Sequence, residues 1–551
     1  MSRITIPLVV VSLMLSTGLV VATEIMQSEF FVTSDRCVAC HNNLVTEGGE
    51  DISIGQSWSA TMMANAAKDP YWQASVRREV TDHPQASAAI EDKCATCHMP
   101  MSRVDEVARG ETGRLFEHLP AAVPTDNPAD HAARDGVSCS LCHQIQAENL
   151  GNPSSFTGGF TVDQNSPLNE RKIHGPFDVS KGSERIMSSA SGFVPGAASH
   201  IKEAAFCATC HTLYIHALDS NGREVGELPE QVPYLEWLHS DYSGAQSCQE
   251  CHMPVADGQH PISSVLGKPR KPFTKHAFRG GNFFMQKLLA ANRHPLGVTA
   301  SPMIMDRGAA VTADFLANNA AELSIHPAQS GIESGVLKVV VQIDNLAGHK
   351  LPTAYPSRRA WVHLTVTGTK NAKVFESGRL REDGSIEGND NDRDGSLFEP
   401  HYRKIDDPTQ VQIYEAIMAT PDGQVTTGLL RAVSYVKDNR LLPSGFDKSS
   451  TQKDIAVHGA AAGDDSFRDN GDTIHYSVKL GKTKGPFRVQ AELWYQPIGF
   501  RWARNLADYQ GGEPESFIAM YAAVPKQNTV QMLAEDKREF SSAVVSSDHP
   551  D

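Results

Sequence analysis

From residue 331 onward the apolar positions recur every second residue. Leu337, Val339, Val341 and Ile343 alternate with Lys338 and Gln342; Val362, Leu364 and Val366 alternate with His363 and Thr365. Ile474, Tyr476, Val478 and Leu480 alternate with His475, Ser477 and Lys479, and Phe487, Val489, Ala491, Leu493 and Tyr495 with Arg488, Gln490 and Glu492. A period of two turns one face of a strand to a core and the other to water, and strands separated by Gly, Asp and Pro turns predict a β-sandwich-like unit over 331–535. An insertion is expected near 380–460, and a polar, flexible tail over 536–551. Before residue 300 the spacing is helical and interrupted. It predicts one helix from Trp58 to about Lys68, ahead of Pro70, and another from Phe283 to about Asn292 with Asn282 as N-cap. Residues 301–330 read as a helical connector. The expected fold class is therefore α+β and multidomain: a helical and loop-rich domain over 23–300, then the β-rich one.

The first residues follow a different pattern. Arg3 precedes an apolar run from Ile4 to Ala22, which reads as a signal peptide over 1–22 with cleavage after Ala22. An uncleaved anchor is the alternative, since the run is about long enough to span a bilayer. Pro7, Ser12, Ser16, Thr17 and Gly18 weaken it. Export to the periplasm, or to the cell surface or beyond, is the expectation, with at most peripheral membrane contact.

Composition narrows the class. A length of 551 residues implies more than one domain. With 40% hydrophobic and 21% charged residues the chain is neither disordered nor a multi-span membrane protein. Asp and Glu outnumber Lys and Arg by 65 to 50, a net charge of −15, which argues against a nucleic-acid partner.

The ten cysteines change the picture most. All of them fall in five copies of C-x-x-C-H: Cys37/Cys40/His41, Cys94/Cys97/His98, Cys139/Cys142/His143, Cys207/Cys210/His211 and Cys248/Cys251/His252. From residue frequencies alone, about 0.007 copies of this haem-attachment pattern are expected. Two thiols three residues apart lie on one side of a helical turn, where they can add to the two vinyl groups on one edge of a haem. The histidine that follows is placed to bind the iron as proximal ligand. Disulfides give no reason for the histidine, and structural zinc would draw four ligands from two motifs at once, which five motifs cannot supply evenly. Five covalent haem c groups are the expected cofactors.

Each iron has a sixth position. His131 precedes Cys139 by eight residues, His200 precedes Cys207 by seven, and His276 sits in a turn ahead of the helix at Phe283. These are distal-ligand candidates; ordering their own surroundings is the plainer role for each. Asp390, Asp392 and Asp394 with Gly395 fit the first half of a calcium loop, D-x-D-x-D-G, although His401 stands where an EF-hand has Glu. Glu399 is a substitute ligand, and an acidic solvated loop is the alternative.

These motifs resemble the multihaem c-type cytochromes of the cytochrome c-554 and hydroxylamine-oxidoreductase superfamily. In that family a Trp-x-x-Ser-x-His-Ala element often supplies a distal histidine. The matching stretch here is Trp58-Ser59-Ala60-Thr61-Met62-Met63-Ala64, so the resemblance implies a Met63 ligand in place of histidine. Gly348-His349-Lys350-Leu351-Pro352-Thr353 resembles a Gly-His-x-x-Pro-Thr loop at the head of the β domain in multihaem cytochromes with C-terminal sandwiches. It implies that His349 caps a haem across the domain interface; ordering the turn is the alternative. Pentahaem nitrite reductases in related families mark their catalytic haem with Lys in place of the motif histidine, and here all five motifs end in His. The expected function is electron transfer in an extracytoplasmic respiratory chain, between redox donor and acceptor proteins or to an extracellular acceptor. The alternative is an oxidoreductase acting on a small nitrogen or sulfur compound at a five-coordinate haem.

Overall fold

The computed structural model describes residues 30–541. The expected signal peptide lies outside them, as do the last residues of the expected tail. Among the described residues no helix is long and apolar enough to cross a membrane.

The first half is built of short helices and two-stranded sheets, such as Leu213–Leu218 with Glu224–Gln231. Ile54–Ser59 forms one of the helices, and side chains then end it. Thr61 Oγ1 donates to the Trp58 carbonyl (2.7 Å), and Asn65 Nδ2 to those of Ser59 (3.0 Å) and Thr61 (2.8 Å). The helix predicted from Trp58 to Lys68 is therefore replaced by turns and a 3₁₀ segment, Ala66–Lys68. Pro70 does not close a helix but opens one, Pro70–Asp82: its missing N–H costs nothing at the first position, and Asp69 caps the amides of Tyr71 and Trp72. The predicted second helix is present as Phe283–Ala291. The connector forms helix Pro302–Asn319, where Ser301 accepts a hydrogen bond from the Ile304 amide.

Twelve strands follow among the described residues. They are β1 (Ala321–Ile325), β2 (Gly331–Glu333), β3 (Val336–Asn345), β4 (Arg359–Thr367), β5 (Lys373–Ser377), β6 (Lys404–Ile405), β7 (Ile413–Ala419), β8 (Val425–Thr426), β9 (Ser434–Asp438), β10 (Gly471–Lys479), β11 (Phe487–Gln496) and β12 (Gln531–Phe540). One sheet runs β2–β3–β10–β6, with β1 also on β3; the other runs β8–β7–β4–β11–β12, with β5 on β4 and β9 on β7. The four predicted alternations are the central antiparallel pairs. β3 meets β10 from Val336↔Lys479 to Asp344↔Gly471, and β4 meets β11 from Arg359↔Gln496 to Thr367↔Arg488.

Two expectations fail here for physical reasons. The stretch expected as an insertion near 380–460 supplies β7, which pairs with β4 and is buried along its whole length. A strand covered on both faces shows no alternation, so Ile413–Ala419 carries no period-two signal. The tail expected from 536 is ordered through Phe540, which pairs with Phe487. Its polarity is that of an edge strand, with Glu535, Lys537 and Glu539 turned to solvent.

The largest apolar cluster crosses the expected boundary. It runs from Tyr71, Ala74 and Phe283–Leu289 into the sandwich interior at Leu337, Val362, Ile474 and Leu493. The rest of the first half holds only small separate clusters, such as those around Met99, around Leu141 and around Phe273.

Candidate haem-binding site

Each C-x-x-C-H motif lies on or beside a short helix: Asp35–Val38, Ser87–His98, Cys139–Cys142, Ala204–His211 and Cys248–His252. The local sequence fixes these turns. Ser247 and Glu250 form a reciprocal cap on the fifth. Ahead of the third, Gly136 adopts φ +65°, where a Cβ would lie 2.6 Å from the Met63 carbonyl oxygen. None of the ten cysteines is in a disulfide.

Four of the five motif imidazoles share one arrangement. Nδ1 of His41 meets the Ile262 carbonyl (2.6 Å), that of His98 the Ala66 carbonyl (3.1 Å), that of His143 the His174 carbonyl (2.6 Å), and that of His252 the Arg279 carbonyl. A carbonyl on Nδ1 fixes the tautomer and leaves Nε2 as a bare lone pair, the form that binds a metal. Burial also disfavours the charged form of His98, His143, His211 and His252. It pulls His98 and His252 down to about 4, and it lowers His143 and His211.

Two motif rings face a second imidazole. His143 and His276 have centroids 6.2 Å apart and planes 26° apart; His252 and His349 are also 6.2 Å apart, at 12°. The second rings are held the same way, His276 Nδ1 by the Thr274 carbonyl (3.3 Å) and His349 Nδ1 by the Lys350 carbonyl (2.9 Å). Two imidazoles on opposite sides of one iron, with Fe–N near 2.0 Å, place their centroids about 6 Å apart. The donor set and its spacing therefore fit haem.

The other sequence candidates fall elsewhere. His131 is exposed on helix Pro128–Arg134. His200 is buried, with Nε2 on the Ile145 carbonyl at 2.8 Å. Met63 is half-buried beside the third motif, its carbonyl accepting from the Val137 amide (2.9 Å). Three histidines that spacing did not single out keep Nε2 open. Among the described residues, His83 is buried with neither ring nitrogen bonded, His174 makes no ring hydrogen bond and packs edge-on against His200 at 4.9 Å, and His239 spends only Nδ1, on the Leu235 carbonyl at 2.8 Å. They are among the ten histidines before residue 300 that the motifs leave unassigned, and the fold separates them from the others by what each nitrogen does.

The motifs interlock out of chain order. The Cys37 thiol lies against Cys139, Cys97 against Cys210, and Cys207 against Cys248, while Cys142 is close to Cys210. The fourth motif therefore borders the second, third and fifth, and the first touches the third.

His349 stands on a buried ion network that joins the two halves. Glu236, just ahead of the fifth motif, accepts from the Lys350 amide (3.2 Å) and Thr353 Oγ1 (2.5 Å) and pairs with Arg440 (3.0 Å). Asp438 pairs with Lys350 (2.7 Å) and Arg440 (2.8 Å). Burial opposes the charge on Asp438, but the two cations outweigh it and hold its carboxyl well below the usual range.

The calcium expectation is not supported. Asp392 is spent on Arg359 (2.7 Å) and the Ile386 amide, Asp390 on Arg393 (2.8 Å), and Asp394 on the backbone and hydroxyl of Ser396. The carboxylates diverge toward separate partners. Glu399 accepts from the amides of Asp390 and Val411. His401 instead sits in a buried group with Asp464 and Asp472. Its Nδ1 accepts from the amide groups of Gln412 (2.7 Å) and Asn439 (3.1 Å), so the proton is on Nε2, facing Asp464 at 3.2 Å. That tautomer makes the group a hydrogen-bonded knot rather than a metal site.

No family model matches the chain, and no curated protein matches it. Among solved structures it is similar to a penta-heme cytochrome c552 from Thermochromatium tepidum, at 16% identity and a TM-score of 0.53, over 93% of this chain and 100% of that one. The likeness shows that the two share a fold along nearly their whole length.

Proposed function

We propose that the chain is a pentahaem c-type cytochrome that carries electrons in an extracytoplasmic respiratory chain. The observation that carries this reading is the imidazole arrangement: in four motifs Nδ1 is on a carbonyl with Nε2 free, and in two of these, His143 and His252, a second ring stands opposite at the spacing of a shared iron. The cysteine pairs would form the thioethers, and His41, His98, His143, His211 and His252 would be the proximal ligands. His276 would complete the third haem and His349 the fifth. His83, His174 and His239 join Met63, His131 and His200 as candidates for the rest. Haem supplies one-electron oxidation and reduction at iron. The chain holds each ligand's tautomer, excludes water, and sets the charge around each site. The interlocked motifs support short steps between neighbours, with the fourth motif as the junction. The affinity to the cytochrome c-554 and hydroxylamine-oxidoreductase superfamily rests on the quoted sequence elements.

The test is direct. Denatured protein should keep covalent haem, with a mass increase of five haems, and the oxidised protein should give low-spin ferric signals from paired imidazoles. A polypeptide exported with ten free thiols would defeat the reading. A methionine–iron charge-transfer band in the near infrared would assign Met63 a ligand role, and its absence would remove Met63.

One observation favours the second reading, an oxidoreductase with an open haem. Among the described residues, the rings of His41, His98 and His211 face no second imidazole at the same spacing, and His98 is stacked instead on Trp72 at 4.2 Å. A high-spin ferric signal that vanishes on adding nitrite or cyanide would establish it; an entirely low-spin protein would remove it.

A further inference from the structure

The hairpin between the fifth motif and His276 lies over the first motif. Its strands pair His260 with Arg270 and Pro261 with Pro269. The Ile262 carbonyl holds His41 Nδ1, and the Ser264 amide (2.8 Å) and hydroxyl (3.0 Å) both donate to the Cys40 carbonyl. The turn beyond is tight. A Cβ on Gly267 would lie 2.0 Å from the Ser263 carbonyl oxygen, and Leu266 is forced to φ +49°. A leucine in the left-handed region is strained, and the surrounding turn must impose it. What the strain achieves is to present Val265, 46% exposed, and Leu266, 76% exposed, at the tip. An exposed apolar pair held in a strained turn directly on a haem motif is not the ordinary scatter of surface side chains.

Charge singles out the same hairpin. The chain carries −15 overall, yet residues 268–275 read Lys-Pro-Arg-Lys-Pro-Phe-Thr-Lys, without an acid. Lys275 is paired with Glu50, and Arg270 donates to the Asp178 carbonyl. Lys268 and Lys271 are exposed and have no ion pair among the described residues. We infer that the hairpin tip, Val265 and Leu266 rimmed by Lys268 and Lys271, is the docking surface for an acidic redox protein that exchanges electrons through the haem of the first motif. Free cations beside an apolar tip steer a negatively charged partner and then bury the tip against it. The inference rests on the pentahaem reading.

The experiment uses holoprotein and reduced flavodoxin, a small acidic one-electron donor, as probe. K268E/K271E should slow reduction of the cytochrome about tenfold at low salt, with the difference closing as ionic strength rises. L266D should slow it further at every salt concentration. K482E/K484E, an equal charge change on the exposed β10–β11 turn, should leave the rate within twofold. Equal loss in both charge variants, or loss in neither, overturns the proposal. Binding of the wild type to phosphatidylglycerol vesicles that L266D abolishes, without an effect on flavodoxin, overturns it in favour of a membrane surface. Haem content and full reduction by dithionite are followed in every variant. If the wild type carries no haem, it is the pentahaem reading that has failed.

Discussion

At the scale of single residues, ring nitrogens sort the histidines. His118 lies between Glu106 (3.0 Å) and Asp130 (2.8 Å) and has neither nitrogen left for a metal. His349 and His276 each keep one. H349A and H276A should each convert one haem from low to high spin, seen in the ferric EPR spectrum, with five haems still attached. His363 on β4 gives a pH effect away from the motifs. Burial disfavours its charge, but Glu492 (2.9 Å) and Glu376 (3.2 Å) flank it and raise its pKa. Lys373 contacts Glu376, and Trp494 and Gln490 donate to Glu492. A raised histidine pKa means that the folded state binds a proton more tightly than the unfolded chain. The stabilisation is complete below the unfolded value and is lost as pH rises through the higher folded one. Thermal melts from pH 6 to 9 should show this decline, and H363Q should flatten it.

Elements are held by buried pairs more than by their own propensity. The turn Asp390–Arg393 is clasped to β4 through Asp392 and Arg359, both nearly dry. D392A leaves Arg359 charged without its partner and should cost about 3–5 kcal/mol in a denaturant titration. Neither calcium nor a chelator should move the melting temperature of the wild type. These elements also mark where sequence stops being readable. The D-x-D-x-D-G spacing is a true sequence signal, but the side chains spend it on Arg359, Arg393 and Ser396. The half-buried strands β3, β4, β10 and β11 were legible because one face is wet. β7 was not, because both its faces are dry, and Pro70 misled because proline ends one helix and opens another equally well. The five C-x-x-C-H motifs were legible as candidate haem attachments, since thioether chemistry demands a fixed spacing. His276 and His349 stood among the sequence's distal candidates, but which candidate faces which motif ring was not legible, since these residues arrive from far along the chain.

For the whole molecule, the shared apolar cluster should make the two halves melt as one cooperative body. Haem absorbance and far-ultraviolet circular dichroism should melt together, and the sandwich expressed alone from residue 301 should aggregate, because it exposes the face that covers Tyr71, Phe283 and Phe284. Two separate transitions would show that the halves fold independently.

His349 also ties the fifth motif to a part of the chain far beyond it. Its loop is anchored where Lys350, Asp438 and Arg440 meet Glu236. On the pentahaem reading, a chain cut short before Asp438 would hold its last haem with one face open, and the full-length protein would close it. The colour of that haem would then record whether the C-terminal half has docked, a signal that an assembly factor or a spectrometer can read equally well.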